Sequence, residues 1–152
     1  GLFDNKNIII CEHEKSNDII INTALEIFSK MKMIVSYMDS ISHDKHIAYV
    51  SHLSHLSSFM LGKTVMDEEE SEKNIFDMAG SGFESTVRLA KSSPKMWTDI
   101  FDDNKSNVLK SLSDYINNLE LIKDLIESNK FEELESQLKK TNYIKKILKG
   151  IN

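Results

Sequence analysis

A chain of 152 residues, 40% hydrophobic and 28% charged, is long enough to bury one good core and a small second unit. Its net charge of -5 leaves no basic face for a nucleic-acid partner, its one cysteine cannot close an intramolecular disulfide, and no apolar run approaches the roughly 18 residues that span a bilayer. One proline and five glycines favour long helices over a turn-rich β architecture, and the expected setting is cytoplasmic, with no membrane partner.

The first forty residues read differently from the rest. Asn7-Ile8-Ile9-Ile10-Cys11 is a β-branched run suited to a strand buried on both faces, with Cys11 a small core residue. Ser16 or Asn17 can cap a helix through Ala24, Leu25, Ile27, Phe28 and Met31, and Met33 to Met38 reads as a second strand. Strand, helix, strand is a βαβ unit of a parallel sheet, and residues 1–39 read as the end of a larger α/β nucleotide-binding domain.

Residues 40–152 read as entirely helical. Ser42 or Asp44 should open a helix running to Leu61 and stopping near Gly62, followed by a short acidic helix around Asp67 to Asp77. Gly80-Ser81-Gly82 punctuates. A helix carrying Phe83, Val87, Arg88 and Leu89 then runs to Ser92, and Ser93-Pro94 pairs a cap with proline at the first helical position. Val108, Leu112, Tyr115, Leu119, Ile122 and Ile126 make one apolar seam along a helix of about 35 residues, some 50 Å long. Asn129 with Glu132 offers a capping box for a final helix bearing Phe131, Leu134, Leu138, Ile144, Ile147 and Leu148. The two form an antiparallel hairpin, and so long a seam predicts a homodimer. The lysines at 139, 140, 145, 146 and 149 read as a solvated face near the helix C-terminus.

Chemistry-bearing residues concentrate in two stretches. In the first, His43, His46, His52 and His55 resemble a metal site, but at 100° per residue His43 and His52 point about 180° apart, as do His46 and His55, so no metal is expected. Ala48, His52, His55, Phe59 and Gly62 instead share a stripe, where small neighbours leave room for a ligand beside two imidazoles. In the second stretch Arg88 either pairs with Glu84 or grips a carboxylate with its guanidinium fork. Trp97 reads as a core anchor, and Asp67-Glu68-Glu69-Glu70 as a solvated helix start. Gly80-Ser81-Gly82 is not a dinucleotide loop, because Ser85 stands where a third glycine belongs and no strand precedes it.

His43-Asp44, Ser51-His52-Leu53-Ser54-His55, Ala79-Gly80-Ser81-Gly82-Phe83, Thr86-Val87-Arg88-Leu89-Ala90 and Ser92-Ser93-Pro94-Lys95-Met96-Trp97 occur in that order. This pattern resembles the C-terminal part of the prephenate dehydrogenase family, which includes prephenate and arogenate dehydrogenases of tyrosine biosynthesis. The resemblance implies a mainly helical dimerisation domain behind a remnant of a Rossmann-like domain. It also implies an NAD- or NADP-dependent oxidative decarboxylation in the parent protein, of prephenate to 4-hydroxyphenylpyruvate or of arogenate. By resemblance His52 and His55 line the substrate site, Arg88 binds a substrate carboxylate, Ser92 and Trp97 form the entrance wall, and Ser81 belongs to a turn approaching the partner subunit's site. Two positions differ from the family's pattern: Ser54 stands where proline is frequent between the histidines, and Ser85 where an acid often precedes the arginine. The family's nucleotide loop and catalytic histidine are expected before Gly1, so this chain by itself is expected to carry no catalytic residue and to be inactive. A non-catalytic helical interaction module is the alternative, in which the histidines are merely structural.

Overall fold

In the computed structural model, which describes residues 1–148, a small parallel sheet precedes a series of helices. Strand β1 (Asn7–Cys11) pairs with β2 (Ile34–Met38) in the register Asn7↔Ile34 to Cys11↔Met38. Helix α1 (Asp18–Lys30) connects them, and the Asn17 carboxamide oxygen accepts from the Ile19 N–H at 2.8 Å as its cap. The βαβ unit is therefore as expected. Burial of the strand on both faces is not: Ile9 and Ile34 stay exposed, because one helix and two strands cannot cover a sheet twice.

The helical part opens earlier than expected. Asp39, rather than Ser42 or Asp44, is the cap: its carboxylate accepts from the Ser42 N–H at 2.8 Å at the start of α2 (Ser40–Ile47). That hydrogen bond holds the Asp39 carboxyl below its usual range. Glu12, in the left-handed region at φ 52°, ties the end of β1 to this helix start by accepting from both the Ser40 N–H and the Ser40 hydroxyl. Its pKa falls to about 2, through the hydrogen bond from Lys15 first and those from Ser40 next.

After α2 the chain passes through a π-helical turn (Ala48–His52) directly into α3 (Leu53–Glu72). Gly62 therefore lies inside a helix and does not end one, and the acidic run belongs to its last turns, not to the start of a separate acidic helix. A glycine costs only about 1 kcal/mol in a helix interior, so good helix formers on both sides carry the helix past it. The true stop is at Lys73 and Asn74, both at positive φ, where the Glu69 carboxylate accepts from the Asn74 and Phe76 N–H groups. A Cβ on Gly62 would meet nothing within 4 Å. Gly62→Ala is accordingly expected to stabilise the chain by roughly 0.5–1 kcal/mol in denaturant unfolding; destabilisation would mean that another surface closes on this position.

Helix α4 (Ser81–Val87) gives way to a 3-10 turn (Arg88–Lys91), and α5 (Pro94–Asp103) begins as expected, with the Ser93 hydroxyl accepting from the Met96 N–H. The expected 35-residue helix is two: α5 ends at Asn104 and α6 covers Lys105–Glu127. The asparagine is used elsewhere, as described below.

The described residues form two compact units, Gly1–Val108 and the segment from Leu109 onward. In the first, the buried residues include Ala48, His52, Ser58 and Trp97. In the second, Ser111 and Leu125 are buried on α6, whereas Leu119 and Ile126 of the proposed seam are about half exposed. Asn129 does not cap the following helix. At φ 55° it closes α6, with the Lys130 N–H bonded to the Leu125 carbonyl and the Asn129 N–H to the Ile126 carbonyl. Asparagine tolerates the left-handed region, so it serves here as glycine usually would. The last segment is two helices, α7 (Phe131–Thr141) and α8 (Ile144–Leu148), and their apolar residues Phe131, Leu138, Ile144 and Ile147 are exposed. Lys149 of the basic cluster lies outside the described residues.

Candidate functional site

The π-turn sets the site. It closes i to i+5 and advances less per residue than an α-turn, so the 100° arithmetic fails across it. His43 and His52, expected on opposite faces, line one recess of about 270 Å³ together with Asp44, Asp103 and Asn104. His43 is engaged by its neighbour, Nδ1 lying 3.0 Å from the Asp44 carboxylate. Among the described residues no three His, Cys, Asp or Glu side chains are grouped to hold a metal.

His52 and His55 converge on Trp97. The His55 ring stacks on the indole with centroids 3.6 Å apart and planes at 26°, while His52 meets it edge-on at 5.9 Å. Phe101, one turn along α5, backs both Trp97 and His52. Proline at the helix start and the Ser93 cap fix the orientation of α5 locally, which places Trp97 and Phe101 on its inward face. Trp97 is 7% exposed, and its indole Nε1 is buried without a hydrogen-bond partner among the described residues. An orphaned donor of this kind costs on the order of 1–3 kcal/mol unless an acceptor arrives. Trp97 also lines an apolar recess of about 200 Å³, together with Leu56, Phe59, Met60 and Phe101 among others.

Burial pushes the His52 pKa below its ordinary value; Asp44 opposes this, and His55 and His43 add to it. A folded-state pKa below the unfolded one means that the unfolded chain binds more protons in between. His52 thus contributes stability that is full above about pH 6.5 and is lost as pH falls below it. Thermal unfolding should show the melting temperature dropping on acidification through this window, and the slope should flatten in His52→Gln. An unchanged slope would mean the proton goes elsewhere.

Arg88 sits at the junction of α4 and the 3-10 turn and is exposed. The expected alternative partner, Glu84, pairs instead with Lys91 at 3.6 Å, and no carboxylate pairs with Arg88 among the described residues. The backbone on either side of it is fixed by a residue the sequence did not single out. Ser58, 2% exposed on α3, donates its hydroxyl to the Thr86 carbonyl and accepts from the Ala90 N–H, both at 3.1 Å. A serine one turn past His55 within an apolar helix was the available signal. Ser92 is half-buried and closes the same turn by donating to the Leu89 carbonyl. Ser81 is exposed on the first turn of α4, and its hydroxyl makes no hydrogen bond among the described residues. The structure thus brings His52, His55 and Trp97 into contact and ties the backbone at Thr86 and Ala90 to α3 through Ser58, while the side chains of Arg88 and Ser81 are both exposed.

The connection between β1 and α1 carries no glycine; Glu12 pairs with Lys15, Glu14 lies beside His13, and the Asn17 carboxamide oxygen accepts from the Ile19 N–H.

Residues 39–140 match the family model described as prephenate dehydrogenase, dimerization domain. A prephenate dehydrogenase of Bacillus subtilis (strain 168) is 25% identical over 137 residues, 88% of this chain and 36% of the relative. The crystal structure of prephenate dehydrogenase from A. aeolicus in complex with hydroxyphenyl propionate and NAD+ superposes with a TM-score of 0.86 at 31% identity, covering 97% of this chain and 51% of that one. Synechocystis arogenate dehydrogenase shares the fold, with a TM-score of 0.82 at 24% identity over 97% of this chain and 54% of that one. The chain spans about half the length of these solved structures. Its helical part, set behind a βαβ piece, belongs to the prephenate dehydrogenase family.

Proposed function

We propose that this chain is the C-terminal part of an NAD(P)-dependent prephenate dehydrogenase, and that it supplies the substrate pocket and the dimer contact while the nucleotide is held by other parts of the protein. The observation that carries the reading is the cluster of His52 and His55 against Trp97 of α5, whose indole N–H has no acceptor among the described residues, beside the tie of α3 through Ser58 to the backbone flanking Arg88, which is unpaired among the described residues. A planar ring suits the aromatic wall, and a substrate carboxylate suits Arg88, whose fork offers two parallel N–H bonds. Ser92 and Ser81 are the further residues assigned to the pocket rim, Ser81 on the side of the partner subunit. Residues 1–39 are the end of the nucleotide-binding domain and 40–152 the helical domain.

The exposed apolar residues of α6, α7 and α8 support a homodimer, since Leu119, Ile126, Phe131 and Leu138 would otherwise face water. No helix among the described residues is long and apolar enough to cross a membrane; cytoplasmic residence follows from the reading of a soluble biosynthetic enzyme.

The chain should bind hydroxyphenyl propionate in calorimetry, and NADH formation from prephenate by this polypeptide alone should be nil. Turnover by the chain itself, or no binding of the probe to a folded dimer, refutes the proposal. Prephenate and arogenate differ at the side chain bearing the amine, and steady-state comparison of the two on the full-length protein distinguishes them.

A further inference from the structure

The ring nitrogens of His52 and His55 have opposite neighbours. His55 Nδ1 lies 2.9 Å from the Ser51 carbonyl oxygen. A carbonyl only accepts, so neutral His55 carries its proton on Nδ1 and leaves Nε2 as an acceptor. His52 Nδ1 faces instead the side-chain nitrogen of Asn104 at 3.4 Å, a long contact whose polarity is nonetheless fixed.

It is fixed by the other bonds of that amide. Asn104 Nδ2 donates to the Asp44 carbonyl at 2.7 Å, while Asn104 Oδ1 accepts from Asn107 Nδ2 at 2.7 Å. Turning the amide over would set its oxygen against the Asp44 carbonyl oxygen, two acceptors with no proton between them. The nitrogen therefore faces His52, its second hydrogen directed at the imidazole. An N–H on His52 Nδ1 would oppose that hydrogen, so Nδ1 holds the lone pair and Nε2 the proton. The local chain is shaped around this arrangement: Asn104 is the residue at which α5 stops and α6 restarts, although no glycine or proline compels a break there.

We infer that Asn104 is a positioning residue that holds His52 as the Nε2–H tautomer, so that His52 donates and His55 accepts in the ligand site. This rests on the substrate-pocket reading above. A donor imidazole suits a carboxylate or ring oxygen, and an acceptor imidazole suits a hydroxyl O–H. The pair therefore selects a ligand carrying both, as a hydroxylated carboxylate does. Burial keeps His52 neutral near pH 7, in a setting where Asp44 favours its charged form and His43 and His55 disfavour it; Asp103 lines the same recess.

The test is long-range proton–nitrogen correlation NMR on the nitrogen-15-labelled full chain near neutral pH, with His52 assigned from the resonances lost in His52→Gln. The expected spectrum has His52 protonated at Nε2 and His55 at Nδ1. In Asn104→Asp, whose carboxylate only accepts, His52 should acquire a proton at Nδ1, and affinity for hydroxyphenyl propionate should fall by about tenfold, the loss of one hydrogen bond. His52 protonated at Nδ1 in the unsubstituted chain overturns the inference, a result that needs no variant to fold. An Asn104→Asp chain that stays folded by circular dichroism, with an unaltered His52 pattern, overturns it as well. The expected spectrum in a chain that fails to bind the probe supports the hold of Asn104 on His52 and refutes the substrate-pocket reading instead.

Discussion

If Arg88 grips a substrate carboxylate as proposed, Arg88→Ala in the full-length protein should lower kcat/KM for the proposed substrate by roughly 30- to 1,000-fold, about 2–4 kcal/mol, for the loss of a charge-assisted two-point contact. Folding should be little affected. The guanidinium is exposed and unpaired among the described residues, and its backbone is held by Ser58 and not by its own side chain. Arg88→Lys keeps the charge but not the fork and should recover only a small part of the activity. The measurement is steady-state kinetics beside thermal unfolding of each variant. Kinetics that stay near wild type would remove the anion-binding role. A fall in stability as large as the fall in activity would make Arg88 a structural residue and favour the non-catalytic interaction module.

Trp97→Ala should have the largest effect on stability, a loss of about 3–5 kcal/mol. A domain of this size has on the order of 5–15 kcal/mol in all, so partial unfolding at physiological temperature is expected. The indole is the surface on which both histidines and Phe101 pack, and removing it leaves a void that α5 can fill only by moving. Trp97→Phe separates packing from polarity. It keeps an aromatic ring for His55 to stack on and deletes the buried N–H that has no partner among the described residues. Stability should therefore stay within about 1 kcal/mol of the parent, while affinity for hydroxyphenyl propionate should drop if the indole N–H meets a ligand oxygen. Chemical denaturation and calorimetry on the two variants check both parts; a Trp97→Ala chain as stable as the parent would contradict the packing described above.

Much of the fold was legible because it depends on local signals. The β-branched run at Asn7–Cys11, the Asn17 cap and the Ser93-Pro94 start each act within a few residues, and each appears where the sequence places it. Local signals also misled where two readings compete for one residue. Asn129 followed by Glu132 satisfies the pattern of a helix start, yet asparagine is also at ease with positive φ, and it closes the preceding helix instead. Gly62 looked like a stop but is held helical by its flanks, and the end came at Lys73 and Asn74, neither of which is a glycine.

By itself the sequence determined the residue types proposed for the ligand site and the order of elements presenting them: two imidazoles a turn apart, one arginine, one tryptophan on a proline-started helix. Tertiary structure alone decided how these groups are held. The π-turn at Ala48–His52 brought His43 and His52 to one recess, and no periodicity foretells it because it breaks the period. Ser58 reached across 28 positions to Thr86 and 32 to Ala90, and Asn104 across 52 to His52. A hydroxyl or an amide gives no sign in sequence of which distant backbone or ring it will satisfy, since a hydrogen bond is decided by a few tenths of an ångström that only the folded chain supplies.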